Sequence, residues 1–209
     1  MKGKFIALEG PDGSGKSTIL KLIENYLSHK GIDFITTREP GGTDIGEKIR
    51  KIILDNKNTN MAEETEALLL AAARAQHVHE KIIPALEEGK LVICDRFVLS
   101  SLAYQGVGRG LGIEEVKSIN DFAIRGIYPD LILFFYVDPE ITLKRKIVKK
   151  NADRLELEGS LFHKKVYEGY MKLIKIYPKN IKIIDANKPI EEVFKQSIEE
   201  IENLLGKGE

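Results

Sequence analysis

One cysteine in 209 residues, no net charge and no apolar run of membrane length exclude several classes before any motif is read. A lone Cys94 rules out an intramolecular disulfide framework and supplies no zinc-ligand set. It sits inside Leu91-Val92-Ile93-Cys94 and reads as a buried thiol rather than a reactive one. Lysine plus arginine equals aspartate plus glutamate at 32 each, so no global field draws the chain to nucleic acid or to a membrane surface. The opening Met1-Lys2-Gly3-Lys4 passes straight into Phe5-Ile6-Ala7-Leu8, too short for a signal segment, and the expected location is the cytoplasm. His29, His77, His79 and His163 show no metal spacing beyond His77 and His79, which fall on different helix faces. They read as structural or surface residues. No internal repeat or low-complexity linker divides the chain, so one domain over 1–209 is expected.

What is present is an alternation of short β-type runs with longer helical stretches, the pattern of an α/β fold. The expected architecture is a mainly parallel five-stranded sheet with helices on both faces. Strands are expected at Lys4–Glu9, Asp33–Thr37, Leu91–Asp95, Leu131–Val137 and Ile181–Asp185. Ile19, Leu20, Ile23 and Leu27 recur at helical spacing within Lys16–His29. Thr65–Leu86 reads as a long helix, nearly all apolar from Ala67 to Ala73, and Glu191–Leu205 as a closing amphipathic one. Four glycines in Gln105–Gly112 suggest a mobile loop, and Lys144–Arg154 is strongly basic.

The densest chemical signal is Gly10-Pro11-Asp12-Gly13-Ser14-Gly15-Lys16-Ser17-Thr18, a P-loop pattern with a strand before it and a helix after. Glycines there let backbone N–H groups turn inward around a β-phosphate at the positive end of the following helix. Lys16 would bridge β- and γ-phosphate oxygens, and Ser17 would offer its hydroxyl to Mg²⁺. The plainer alternative is a glycine-rich turn that happens to open a helix, but it leaves the flanking strand unexplained. Asp95, at the end of Leu91–Asp95, stands where α/β proteins bind ligands and could hold Mg²⁺ or its water shell. It could equally cap the helix that follows.

P-loops serve switches as well as transferases. Guanine-reading switches carry Asn-Lys-x-Asp, and the nearest approach here is Asn187-Lys188-Pro189-Ile190. Arg38, Arg50, Arg74, Arg96 and the basic segment exceed what one nucleotide needs, which suggests a second phosphorylated substrate and an enzyme.

Four stretches in order resemble the thymidylate kinases of the nucleoside-monophosphate kinase group. They are Phe5–Thr18, Thr37-Arg38-Glu39-Pro40-Gly41-Gly42-Thr43, Ala72-Ala73-Arg74-Ala75-Gln76-His77, and Asp95-Arg96-Phe97 followed by Ser100, Ser101, Ala103, Tyr104 and Gln105. The resemblance covers nearly the whole chain and implies direct in-line transfer from ATP to dTMP with Mg²⁺, in a homodimer. It implies ATP contacts from Gly10, Asp12 and Gly13 through Thr18, and from Arg145. For the acceptor it implies Arg50 and Arg96 at the phosphate, Arg74 and Gln105 at the pyrimidine edge, and Asp12 at the 3′-hydroxyl. Tyr104 would crowd a ribose 2′-hydroxyl, with Ser101 nearby. Asp12, Ser17 and Asp95 would surround the metal, and Lys16 and Arg96 would act in catalysis.

Two departures from that family stand out. Leu70 occupies a position where many members carry phenylalanine, so base stacking and monophosphate affinity should be weaker here. Gly13 leaves the P-loop without an arginine of its own, which directs attention to a lid at about 144–158. There Arg154 is the expected catalytic cation, with Lys149 or Arg145 assisting, because lysine lacks the planar fork that matches phosphoryl oxygens.

Overall fold

The structure, a computed structural model, describes residues 3–138 and 153–206. Five strands, β1 (Phe5–Glu9), β2 (Phe34–Arg38), β3 (Leu91–Asp95), β4 (Leu131–Tyr136) and β5 (Ile181–Asp185), form one all-parallel sheet in the order β2-β3-β1-β4-β5. Parallel strands covered on both faces read as continuous apolar runs, and β1 is buried along its whole length. Ile6 and Leu8 point to one side, where α1 (Lys16–His29) and the C-terminal helix α8 (Ile190–Gly206) pack through Ile19, Ile23, Val193 and Ile201. Phe5 and Ala7 point to the other, against Val78, Ile82, Leu86 and Phe97. Cys94 lies fully buried in that second layer.

The chain builds outward from β1 in both directions, so the carboxyl end of β1 lies at the switch in strand order, where such sheets hold ligands. Register sets what meets there. Leu8 pairs with Asp95 and Asp95 with Arg38, which brings the ends of β1, β3 and β2 side by side. The β2 strand runs one residue later than expected because Arg38 still pairs in the ladder.

The helix expected at Thr65–Leu86 is a composite. It comprises α3 (Glu63–His77), a π-wound turn at Val78–Ile82 and α4 (Ile83–Glu87), and the wider turn precedes Pro84, which lacks a backbone donor. Among the described residues no helix is long and apolar enough to cross a membrane.

The expected mobile loop at Gln105–Gly112 is corrected. After α5 (Val98–Ser101), residues Leu102–Gly108 continue as π-wound helix, with Gln105, Gly106 and Gly108 buried. They pack on α7 (Ser160–Ile176), where a Cβ on Gly108 would lie 2.9 Å from side-chain atoms of Phe162 and Val166. Gly169 of α7 meets Val107 in the same way, at 3.0 Å. These glycines permit close helix approach. Gly108→Ala should therefore destabilise: overpacking costs about 1–3 kcal/mol, against a helix-propensity gain of at most about 1 kcal/mol. A urea unfolding midpoint equal to or above that of the parent would refute tight packing at this contact.

Candidate active site

Residues 10–15 connect β1 to α1 as a loop that only glycine can follow in two places. Gly10 has φ 137°, and a Cβ there would sit 2.7 Å from the Phe135 carbonyl oxygen on β4. Gly15, left-handed at φ 91°, caps α1 and accepts from Thr18 and Ile19 N–H. The first-turn N–H groups of a helix have no intrahelical acceptors, so this end of α1 is suited to anions.

Lys16 is buried, and its ammonium donates to Gly10 O (2.9 Å), Pro11 O (3.0 Å) and Ser14 Oγ (3.3 Å). Burial first, then the charge of Arg96, lowers its pKa from 10.5 to about 8. In this conformation all three ammonium hydrogens are held by the loop itself. A cleft of about 430 Å³ runs along Asp12, Gly13, Ser14, Gly15, Lys16, Ser17 and Thr18, with Asp95 and Arg96 opposite. Ala186 and Lys188, from the turn after β5, and Ile190 and Val193, from the start of α8, also line it. Sequence reasoning missed these four, since no motif marks them.

Asp95 ends β3 facing Ser17 across this cleft. Its Oδ1 is buried and, among the described residues, is the one such side-chain oxygen or nitrogen with no hydrogen-bond partner. A carboxylate oxygen left open beside a hydroxyl and a phosphate-binding loop suits a hard cation or its water shell, so the donor set fits Mg²⁺. An N-cap role for Asp95 finds no support, because α5 begins at Val98 after Phe97.

The eight acceptor-side residues expected from sequence line one cavity beside this cleft. Asp12 and Arg96, which also line the P-loop cleft, and Tyr104, bonded to Asp12, lie toward the P-loop, and Arg50, Leu70, Arg74, Ser101 and Gln105 also line the cavity, joined by Glu39 and Pro40. Arg96 holds a left-handed backbone (φ 71°), costly for a side chain by about 1–2 kcal/mol. Its guanidinium offsets this with bonds to Gly10 O (3.1 Å), Ser100 Oγ (3.0 Å), Tyr170 Oη (3.1 Å) and Asp12 Oδ1 (2.5 Å). Burial opposes its charge, but Tyr104 and Asp12 raise its pKa well above the usual arginine value. Tyr104 donates to Asp12 Oδ2 at 2.9 Å, and burial, then Asp12, keep its phenol protonated.

Arg74, almost fully buried, donates Nε and Nη2 to Glu39 Oε2 and Nη1 to Ser101 Oγ and Asn120 Oδ1. Of its five N–H groups, one on Nη2 has no partner among the described residues. The other Glu39 oxygen bonds His77 Nδ1 at 2.9 Å, and His77 Nε2 meets Thr37 Oγ1 at 2.7 Å, a structural histidine as expected. Arg50 donates to Pro40 O at 2.7 Å.

Arg154, expected over the transferring phosphoryl group, is placed elsewhere. Its Nη2 lies 2.5 Å from Glu66 Oε2, its Nε donates to Ile53 O at 2.8 Å, and it lines neither cleft. The reason is electrostatic. Glu66 is 1% exposed, and a buried anion draws in cations. Neighbouring Asp153, Leu155 and Glu156 line the acceptor cavity instead. Arg145 and Lys149 lie outside the described residues. Glu9, Glu39 and Glu66, which hold these cations and donors, were not singled out from sequence. In sequence a buried glutamate looks like a surface one.

Comparison with known proteins follows the same line. A family profile described as thymidylate kinase matches residues 8–197. The chain is 60% identical to a thymidylate kinase of Finegoldia magna over 93% of this chain and 96% of the relative. It is 56% identical to one of Clostridium novyi (93% and 96%) and 53% identical to one of Lactobacillus acidophilus (99% and 97%). On both the profile and the relatives, the chain belongs to the thymidylate kinase family.

Proposed function

We propose that this protein transfers the γ-phosphoryl group of ATP to dTMP, giving ADP and dTDP on the way to dTTP. The observation that carries the reading is that Asp12 and Arg96 each line both clefts, so donor and acceptor sites share one wall. Two phosphorylated ligands seated there face each other across an arginine. In-line transfer between phosphates asks for positioning and charge neutralisation rather than a nucleophile or base.

In this reading the P-loop backbone holds the β-phosphate, and Lys16 exchanges its loop carbonyls for β- and γ-oxygens. Arg96 and Arg50 hold the acceptor phosphate. The free Arg74 N–H and Gln105 meet the pyrimidine edge over Leu70, with Ser101 behind, and Tyr104 and Asp12 meet the sugar. Ser17, Asp95 and Asp12 are the residues suited to Mg²⁺, which when bound screens phosphate charge. Arg154 acts on the acceptor side, holding 153–156 against the cavity, within a lid at about 144–158. The whole chain works as one unit, and ATP as donor suits the cytoplasm.

A homodimer is part of the proposal. Helices α2 (Asp44–Leu54), α3 and α6 (Ile113–Ile124) pack side by side, and each turns a large apolar side chain outward: Ile52, Leu68 and Phe122, the last 88% exposed.

Three measurements test the site. A coupled ADP-release assay across dTMP, dUMP, dCMP, dGMP and thymidine should favour dTMP, and preference for thymidine itself would overturn a monophosphate acceptor. A depressed Lys16 pKa means that its proton, needed to bind triphosphate, leaves early as pH rises. Then kcat/KM for ATP should fall through about pH 8. At saturating ATP the phosphates restore the proton and kcat should hold to higher pH; a flat kcat/KM up to pH 10 refutes the assignment. Arg154→Ala should raise KM for dTMP about tenfold with kcat nearly unchanged. A kcat loss near 10³ at constant KM would instead place this arginine on the phosphoryl group.

A further inference from the structure

Glu66 stands one turn before Leu70 and two turns before Arg74 on α3, yet lines neither cleft. Its carboxylate is buried and accepts four hydrogen bonds. Oε1 takes Gln105 Nε2 at 2.8 Å and Arg109 Nε at 3.2 Å, and Oε2 takes Arg109 Nη2 at 3.0 Å and Arg154 Nη2 at 2.5 Å. Burial alone would raise its pKa, but the bonds from Arg109, Gln105 and Arg154 bring it below the ordinary carboxylate value, so it is an anion at neutral pH.

An anionic carboxylate only accepts. The pole of the Gln105 amide facing Glu66 must therefore be its NH₂, whichever way the amide could otherwise turn. That leaves Oε1 with no partner among the described residues, and it is not a sealed atom, so it is open to the cavity that Gln105 lines. The cavity thus presents a fixed acceptor from Gln105 beside the one free donor of Arg74. A base that matches needs a ring N–H next to a carbonyl, the imide edge of thymine or uracil. Cytosine puts an acceptor at the ring nitrogen and meets Gln105 oxygen to lone pair.

We infer that Glu66 is a positioning residue for base specificity: by locking the Gln105 amide with its carbonyl toward the cavity, it makes the site select an imide pyrimidine over an aminopyrimidine. Through Arg154 the same carboxylate ties that lock to the segment 153–156, of which Asp153, Leu155 and Glu156 line the same cavity. The inference rests on the proposed reading that Gln105 faces the base.

The experiment compares kcat/KM for dTMP, dUMP and dCMP in the parent, Glu66→Gln and Gln105→Leu. Glu66→Gln keeps the shape but can offer either pole, so Gln105 is free to flip. The dTMP:dCMP ratio should fall at least about tenfold while the dTMP:dUMP ratio stays constant, since both of those bases carry the imide. Arg74 still faces the neighbouring position, so some discrimination persists. A uniform loss on all three acceptors would make Glu66 merely structural and overturn the inference. Collapse of the ratio in Gln105→Leu but not in Glu66→Gln leaves base reading standing and removes the role of Glu66. An unchanged ratio in Gln105→Leu shows that Gln105 does not read the base, and the inference falls with that reading. If Glu66→Gln fails to fold, the double variant Glu66→Gln/Arg109→Met, which removes one buried cation with the carboxylate, carries the same expectations.

Discussion

The ion pair between Asp12 and Arg96 is the joint on which the site depends. Asp12 comes from the loop after β1 and Arg96 from the turn after β3, two strands that neighbour each other in the sheet. Their 2.5 Å contact closes the gap between those turns and forms the wall common to both clefts. Arg96 reaches this position only through a left-handed backbone, and its remaining donors are held by Gly10 O, Ser100 and Tyr170. Breaking such a largely desolvated pair from one side costs about 3–5 kcal/mol, because the other charge stays behind. Stability and the geometry of transfer therefore rest on the same contact.

Behind that pair stands a layer of buried carboxylates. A site for two phosphate-bearing ligands must hold several cations close together before any ligand arrives, and their repulsion has to be offset by the protein. Glu9 accepts from Phe97 N, Ser100 N and Ser100 Oγ, fixing the turn that carries Arg96. Glu39 holds Arg74, and Glu66 holds Arg154 and Arg109. Each glutamate holds a donor in place; Glu9 and Glu66 line neither cleft, whereas Glu39 shares the cavity lining with Arg74. Burial raises the Glu9 pKa against the pull of Ser100 and Arg96, whereas Glu66, with two arginines, is lowered. The balance of burial against cationic and hydrogen-bond partners decides the sign.

Much of this was legible in the sequence, for identifiable reasons. The P-loop is local chemistry: glycine positions, a lysine and a hydroxyl within nine residues, framed by an apolar strand. The five strands are apolar runs between helical stretches, and three differ from expectation by one residue: β1 begins at Phe5, β4 ends at Tyr136 and β2 runs one residue late, because ladder pairing rather than composition sets strand ends. Arg50, Arg74, Arg96, Tyr104 and Gln105, assigned to the acceptor through family resemblance, are gathered in one cavity by the fold. What escaped was contact over long sequence distance. Glu66 meets Arg154 across 88 residues, and Glu9 meets Ser100 across 91. The glycines of 105–112 signalled freedom of the backbone, as Gly110 and Gly112 show with positive φ, but at Gly108 the cause is the nearness of Phe162 and Val166, more than 50 residues away. Composition carries no trace of a partner that folding supplies.

The nucleotide cleft has two complementary unfinished features. Lys16 is a cation whose three hydrogens are turned back on the carbonyls and hydroxyl of its own loop, while burial and Arg96 lower its pKa. Asp95 is an acceptor whose inner oxygen has nothing to accept. Neither can satisfy the other, because Lys16 is already bound within the loop and Asp95 belongs to the opposite wall. A ligand that relieves both must bring anionic oxygens to draw Lys16 outward and a hard cation or its waters to fill Asp95. A metal–triphosphate complex does both at once, whereas bare triphosphate would add negative charge beside an unscreened carboxylate. The loop motif alone suits phosphate; the open oxygen of Asp95 suits a metal beside it.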